Sequence, residues 1–119
     1  PNRFGRIINT GSVAAILGRP TIHAYVAAKA GIHGLTRSMA AELGRQGITA
    51  FAIAPGFVRT SLNKDFFDKF GVAAAAESIP LGEVAEPEDI ANTVAFLASG
   101  LARHATGTTI DINGASYVR

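Results

Sequence analysis

Short apolar runs alternate with long stretches of helical period along this chain. Arg6-Ile7-Ile8-Asn9-Thr10 reads as a short buried strand, closed by Gly11 and Ser12. A loop with Gly18 and Pro20 follows. From about Ile22 to Leu43 the pattern turns helical. Ala28, Ile32, Leu35, Met39 and Leu43 recur at steps of four and three and line one stripe. Ala24, Ala27, Ala30, Gly31 and Gly34 are small and allow another backbone to approach closely. Gly44 and Gly47 stop the helix. Thr49 to Ala54 reads as a second buried strand, ended by Pro55-Gly56.

The next stretch, Leu62 to Ile79, is mixed, and Phe66, Phe67 and Phe70 form an apolar patch on a short, mobile helix. Pro80, Gly82 and Pro87 mark a loop. Pro87 suits the first position of a helix, where Glu88 and Asp89 complement the N-terminal dipole. Ile90, Val94 and Leu97 keep helical spacing until Gly100, and Thr109 to Asn113 reads as a last strand. The order strand, helix, strand, helix, strand predicts an α/β chain with a parallel sheet and right-handed crossovers.

Composition narrows the classes. The chain has 119 residues, room for one small domain. Hydrophobic residues make up 48% and charged residues 17%, which excludes a disordered tail and suits a buried core. There is no cysteine, so neither disulfides nor thiolate metal sites arise, in keeping with a reducing, cytoplasmic setting. The net charge is +2, and basic residues are scattered from Arg3 to Arg119 without a cluster. That distribution argues against nucleic acid as a partner. No apolar run is long enough to span a bilayer, and no signal peptide opens the chain. The chain opens on Pro1 and its sole methionine is Met39, so we expect a piece of a longer polypeptide. His23 and His33 share the long helix but lie far apart, without a carboxylate cluster, so no metal site is expected.

Candidate chemistry comes from Tyr25 and Lys29, four positions apart and therefore on one helix face. A free tyrosine titrates near ~10 and is a poor base at neutral pH. A cation held beside the phenol favours the phenolate. Such a pair can exchange a proton with an alcohol or carbonyl. Ser12 follows the first strand, at the sheet end where open α/β sheets place ligands. Its hydroxyl can bind a substrate oxygen and stabilise negative charge developing there. Taken singly, each residue has an ordinary explanation. Tyr and Lys at this spacing are common on solvated helix faces, and Ser12 suits a strand-end turn.

The combination is more specific. Gly5-Arg6-Ile7-Ile8-Asn9-Thr10-Gly11-Ser12 followed by Tyr25-Val26-Ala27-Ala28-Lys29-Ala30-Gly31 resembles the active-site segment of short-chain dehydrogenases/reductases, with the family's serine-to-tyrosine separation. Ala54-Pro55-Gly56-Phe57-Val58-Arg59-Thr60 resembles that family's nicotinamide loop. Glu86-Pro87-Glu88-Asp89-Ile90-Ala91, Phe96-Leu97-Ala98-Ser99 and Thr106-Gly107 are similar to its C-terminal signatures. The resemblance covers essentially the whole chain and is nearest to the 3-oxoacyl-carrier-protein reductase-like members. It implies the C-terminal half of a Rossmann-type doubly wound parallel sheet.

The resemblance also assigns roles. Tyr25 becomes the general acid in reduction and the base in oxidation. Lys29 tunes Tyr25 and holds the nicotinamide ribose, and Ser12 polarises the substrate oxygen. Pro55, Gly56, the Val58 backbone and the Thr60 hydroxyl bind the nicotinamide of NAD or NADP. Phe57, Phe66 and Phe67 lie over the substrate, although plain core packing explains Phe66 and Phe67 equally well. The implied substrate is a small alcohol or ketone, and the implied assembly is a homo-oligomer, tetramer or dimer, paired through the long helix.

Some family parts do not occur here. No Gly-rich strand-to-helix turn is present to hold a pyrophosphate. The Asn-Asn-Ala-Gly segment and the upstream catalytic asparagine are also lacking, and Asn9, on the strand before Ser12, does not replace that residue. Glu83 stands where a basic residue is common, and Asn113-Gly114-Ala115 replaces an Asp-Gly-Gly ending. Two readings follow. The chain is the catalytic half of a longer oxidoreductase, or it is a non-catalytic truncated product or interaction module that keeps the fold's C-terminal half.

Overall fold

The structure is a computed structural model and describes residues 4–119. Three parallel strands form one sheet in the order β1 (Gly5–Thr10), β2 (Ile48–Pro55), β3 (Thr109–Ile112). Ile8 stands opposite Phe51, and Ile53 opposite Ile110. Parallel neighbours need crossovers, and helices provide both. The long helix α2 (His23–Leu43) joins β1 to β2, and α5 (Pro87–Ala98) lies between β2 and β3. Pro87 occupies the first turn of α5, and the Asp89 carboxylate accepts the Glu86 N–H at 2.8 Å, so the helix starts where its proline and acidic residues predict.

Alternation along the strands assigns the two faces. Phe51 and Ile53 point to one face and form the main core with Leu97 of α5 and Ala102. Ile8, Ile90, Val94, Ile110 and Ile112 pack around them. Ala50, Ala52 and Ala54 point to the other face, beneath α2. Their small side chains let the helix lie close, and the seam is polar. Asn9 Nδ2 donates to Thr36 Oγ1 at 3.0 Å, and Thr36 in turn donates to the Ile32 carbonyl at 2.8 Å.

The seam changes the picture of α2. Its buried residues are His33 and Thr36. The apolar stripe of Ala28, Ile32, Leu35 and Met39 lies about a quarter turn away, flanking the sheet rather than facing it. Leu35 remains 53% exposed.

Other differences are local. A short helix, α1 (Ala14–Leu17), fills the start of the loop after Ser12. The mixed stretch holds two short helices, α3 (Lys64–Phe70) and α4 (Val72–Glu77), which build a second apolar cluster around Ala75, Ile79 and Val84. The last strand ends at Ile112, one residue early. Ala115 has φ +67°, the left-handed region where the family ending has glycine and where an L side chain costs about 1–2 kcal/mol.

Candidate active site

The C-terminal ends of the strands meet on one edge of the sheet, and backbone bonds continue past the strand ends to bind the loops together. Gly11 N donates to the Ile53 carbonyl (2.8 Å), Val13 N to the Pro55 carbonyl (3.1 Å) and Gly56 N to the Ile112 carbonyl (2.9 Å). The segments bearing Ser12, Pro55-Gly56 and Asn113 therefore form one continuous rim. Asn113 packs directly beneath Gly56.

Tyr25 and Lys29 stand over this rim on successive turns of α2. The Lys29 ammonium lies 5.8 Å from the Tyr25 ring centroid. It donates to the Thr10 carbonyl at 2.8 Å, which fixes the helix to the strand two residues before Ser12. Tyr25 is 38% exposed, accessible to a solute. Ser12 is only 7% exposed, and its Oγ accepts the Ala14 N–H at 3.2 Å. That bond uses an oxygen lone pair and leaves the hydroxyl proton for another acceptor. The structure thus brings Lys29 to both Tyr25 and the Ser12 strand end.

The predicted cofactor loop is braced by a backbone bridge and by one side-chain bond. Val58 bridges to Ala85, where Arg59 N donates to the Ala85 carbonyl (2.9 Å) and Ala85 N to the Phe57 carbonyl (3.2 Å). The Val58 carbonyl accepts Asn63 Nδ2 at 2.8 Å. The Val58 N–H has no backbone partner in this bridge, and Thr60 is exposed. A free amide donor next to an exposed hydroxyl fits a carboxamide, which offers both an acceptor and a donor.

Phe57, Phe66 and Phe67 meet in an aromatic group, with Phe57 5.1 Å from Phe66 and 6.4 Å from Phe67 between centroids. All three are partly buried against the second apolar cluster, so core packing accounts for a share of their surface. Phe70 extends the group at 5.0 Å from Phe66 and stays exposed.

One residue at this rim carried no functional assignment in the sequence. His33, four positions after Lys29 and so on the same row of α2, is 7% exposed. Its Nδ1 is 3.0 Å from Thr109 Oγ1 on β3, and its Nε2 is buried without a hydrogen bond. Burial holds its pKa below the ordinary 6.5. Arg119 and Arg37 act in the same direction, while the Ser12 carbonyl and Asp111 oppose it.

The neutral ring is therefore the folded form. An unfolded chain binds the proton at higher pH than the folded one, so stability is complete above 6.5 and is lost as pH falls from there through the folded value. Denaturation midpoints measured across this range should fall on the acid side more steeply for the wild type than for His33→Gln. Equal slopes would exclude His33 as the source.

Among the described residues no group of three or more His, Cys, Asp or Glu side chains could hold a metal, and no helix is long and apolar enough to cross a membrane.

Comparison with known proteins identifies the family of this fold. Residues 1–115 match the family described as enoyl-(acyl carrier protein) reductase. The chain is 46% identical over 113 residues to the 3-oxoacyl-[acyl-carrier-protein] reductase FabG of Rickettsia felis, covering 95% of this chain and 46% of that protein. It is 44% identical over 116 residues to the FabG reductase of Vibrio cholerae, covering 98% of this chain and 47% of that one. A crystal structure from Agrobacterium tumefaciens, of a protein assigned as a gluconate dehydrogenase, superposes with a TM-score of 0.91 at 34% identity. That alignment covers 98% of this chain and 47% of the other. The chain thus spans about half the length of the relatives it matches. With the parallel sheet, the polar rim and a matching family over nearly its full length, the chain belongs to the short-chain dehydrogenase/reductase family, as a 3-oxoacyl-acyl-carrier-protein reductase-like member.

Proposed function

We propose that this chain is the catalytic, C-terminal half of an NAD(P)-dependent oxidoreductase that interconverts a ketone and a secondary alcohol. The observation that carries the reading is the placement of Lys29, beside the Tyr25 ring and bonded to the Thr10 carbonyl just before Ser12. When bound, NAD or NADP supplies the hydride acceptor or donor. In reduction, the Tyr25 phenol gives its proton to the substrate oxygen while the Ser12 hydroxyl donates a hydrogen bond to that oxygen. The Lys29 ammonium stabilises the phenolate left behind. In oxidation Tyr25 takes the proton back. Tyr25 and Lys29 hold the ribose side of the cofactor. Pro55, Gly56, the free Val58 N–H and the Thr60 hydroxyl hold its nicotinamide end. Phe57, Phe66 and Phe67 border the substrate.

The pyrophosphate half of the cofactor needs residues that this sequence does not contain, so the active protein is a longer polypeptide. It works in the cytoplasm as a homo-oligomer, a dimer or tetramer joined through α2. The names of the relatives direct the first assay to 3-oxoacyl thioesters, with enoyl thioesters and simple ketones beside them. The longer protein should oxidise NADPH or NADH with a 3-oxoacyl thioester or ketone and leave the enoyl thioester unreduced. Turnover of the enoyl substrate alone would replace this reading with carbon–carbon double-bond reduction.

A further inference from the structure

We infer that His33 is a positioning residue for Ser12, a wedge that sets the backbone of the Gly11–Ser12 turn from the helix side. The inference rests on the reading of Ser12 as the donor to the substrate oxygen. Two consecutive residues where β1 ends, Thr10 and Gly11, are gripped from outside the strand. Lys29 holds the Thr10 carbonyl at 2.8 Å. The Ile53 carbonyl holds the Gly11 amide at 2.8 Å. The Cε1 and Nε2 atoms of His33 stand against the bare Cα of Gly11, where a Cβ would lie only 2.4 Å from Cε1 and 2.5 Å from Nε2. Lys29 and His33 are one helical turn apart, so a single row of α2 spans the turn that carries Ser12.

The ring is also held in rotation. Its Nδ1 meets Thr109 Oγ1 at 3.0 Å, which fixes the imidazole between β3 and the β1 end. A flat ring tethered at one nitrogen fills the space that the missing Gly11 side chain leaves. Displacing it frees the Ser12 backbone to shift, and a small shift of a catalytic group has a large kinetic effect.

The test uses the longer active protein and separates kcat from KM. His33→Ala should lower kcat on the order of 10- to 100-fold and leave the KM for the nicotinamide within about twofold. Gly11→Ala should cause a similar kcat loss, because its methyl group must expel the ring. The double variant should be no worse than the worse single one, since the two changes act on one contact; of the three atoms nearest the added methyl, the Ile53 carbonyl then remains, at 3.1 Å. Multiplied losses in the double variant, or an unchanged kcat in folded His33→Ala, overturn the inference. If His33→Ala does not fold, Thr109→Val decides. It removes the tether without opening a cavity and should lower kcat about three- to tenfold; no change overturns the inference. Tyr25→Phe run alongside keeps the two failures apart. An active Tyr25→Phe removes the catalytic reading itself, whereas an inactive one beside a fully active His33→Ala removes only the wedge.

Discussion

Tyr25→Phe, made in the longer active protein, should lose turnover by about 10²- to 10⁴-fold, the range of a positioned proton donor. Only a hydroxyl is deleted, from a side chain that is 38% exposed and part of neither apolar core cluster. Stability should therefore stay within about 0.5 kcal/mol of wild type, and circular dichroism should be unchanged. Cofactor binding should survive too, because the ring and the Lys29 ammonium remain. Near-normal activity in a folded Tyr25→Phe protein would sink the assignment of Tyr25 as proton donor. Lys29→Ala should be comparably severe but differ in kind. It removes the cation beside the phenol, the bond to the Thr10 carbonyl and a contact proposed for the ribose, so cofactor binding should weaken along with kcat.

The second large effect concerns the 119-residue chain expressed alone. Among the described residues β1 pairs only with β2, so its other edge offers free N–H and C=O groups. An unprotected edge carrying Ile7 and Ile8 invites strand addition from another molecule. Exposed apolar side chains add to this, including Phe4, Leu35, Phe96 and Leu101. We expect self-association in analytical ultracentrifugation and no measurable NAD(H) or NADP(H) binding by calorimetry. The binding failure has its own cause: the rim can hold a nicotinamide end, but the sequence supplies no Gly-rich turn for the pyrophosphate. A soluble monomer with micromolar nicotinamide affinity would show that these strands build a cofactor site of their own. Expression joined to a Gly-rich half should restore binding if the catalytic reading is right, and leave the chain inert if it is a non-catalytic module.

Much of the fold was legible because its signals are local. The helical period of residues 23–43, the proline and acids that open α5 and the apolar runs of the strands depend on neighbours a few positions away. The Tyr25–Lys29 pairing was legible for the same reason, since a helix places positions four apart on one face whatever surrounds it. The short α1 escaped notice. Four residues carry too little period to read, and backbone bonds to Ser12 and Val13 define it. The phenylalanines of α3 were seen as a patch, but their packing on Ala75, Ile79 and Val84 joins segments with no shared period.

What the sequence by itself determined, then, is the order of elements and the row on α2 that carries Tyr25 and Lys29. What only the tertiary structure decided is which face of α2 turns inward. Hydrophobic spacing favoured Ala28, Ile32, Leu35 and Met39, yet the sheet takes Lys29, His33 and Thr36. The reason lies across the seam. The sheet face there is three small alanines flanked by Asn9, the Thr10 carbonyl and Thr109, so polar side chains find partners on it. An apolar stripe turned inward would leave those groups buried and unpaired, at about 1–3 kcal/mol each. His33 became visible only at that point, because its place against Gly11 depends on how a helix and a strand end pack.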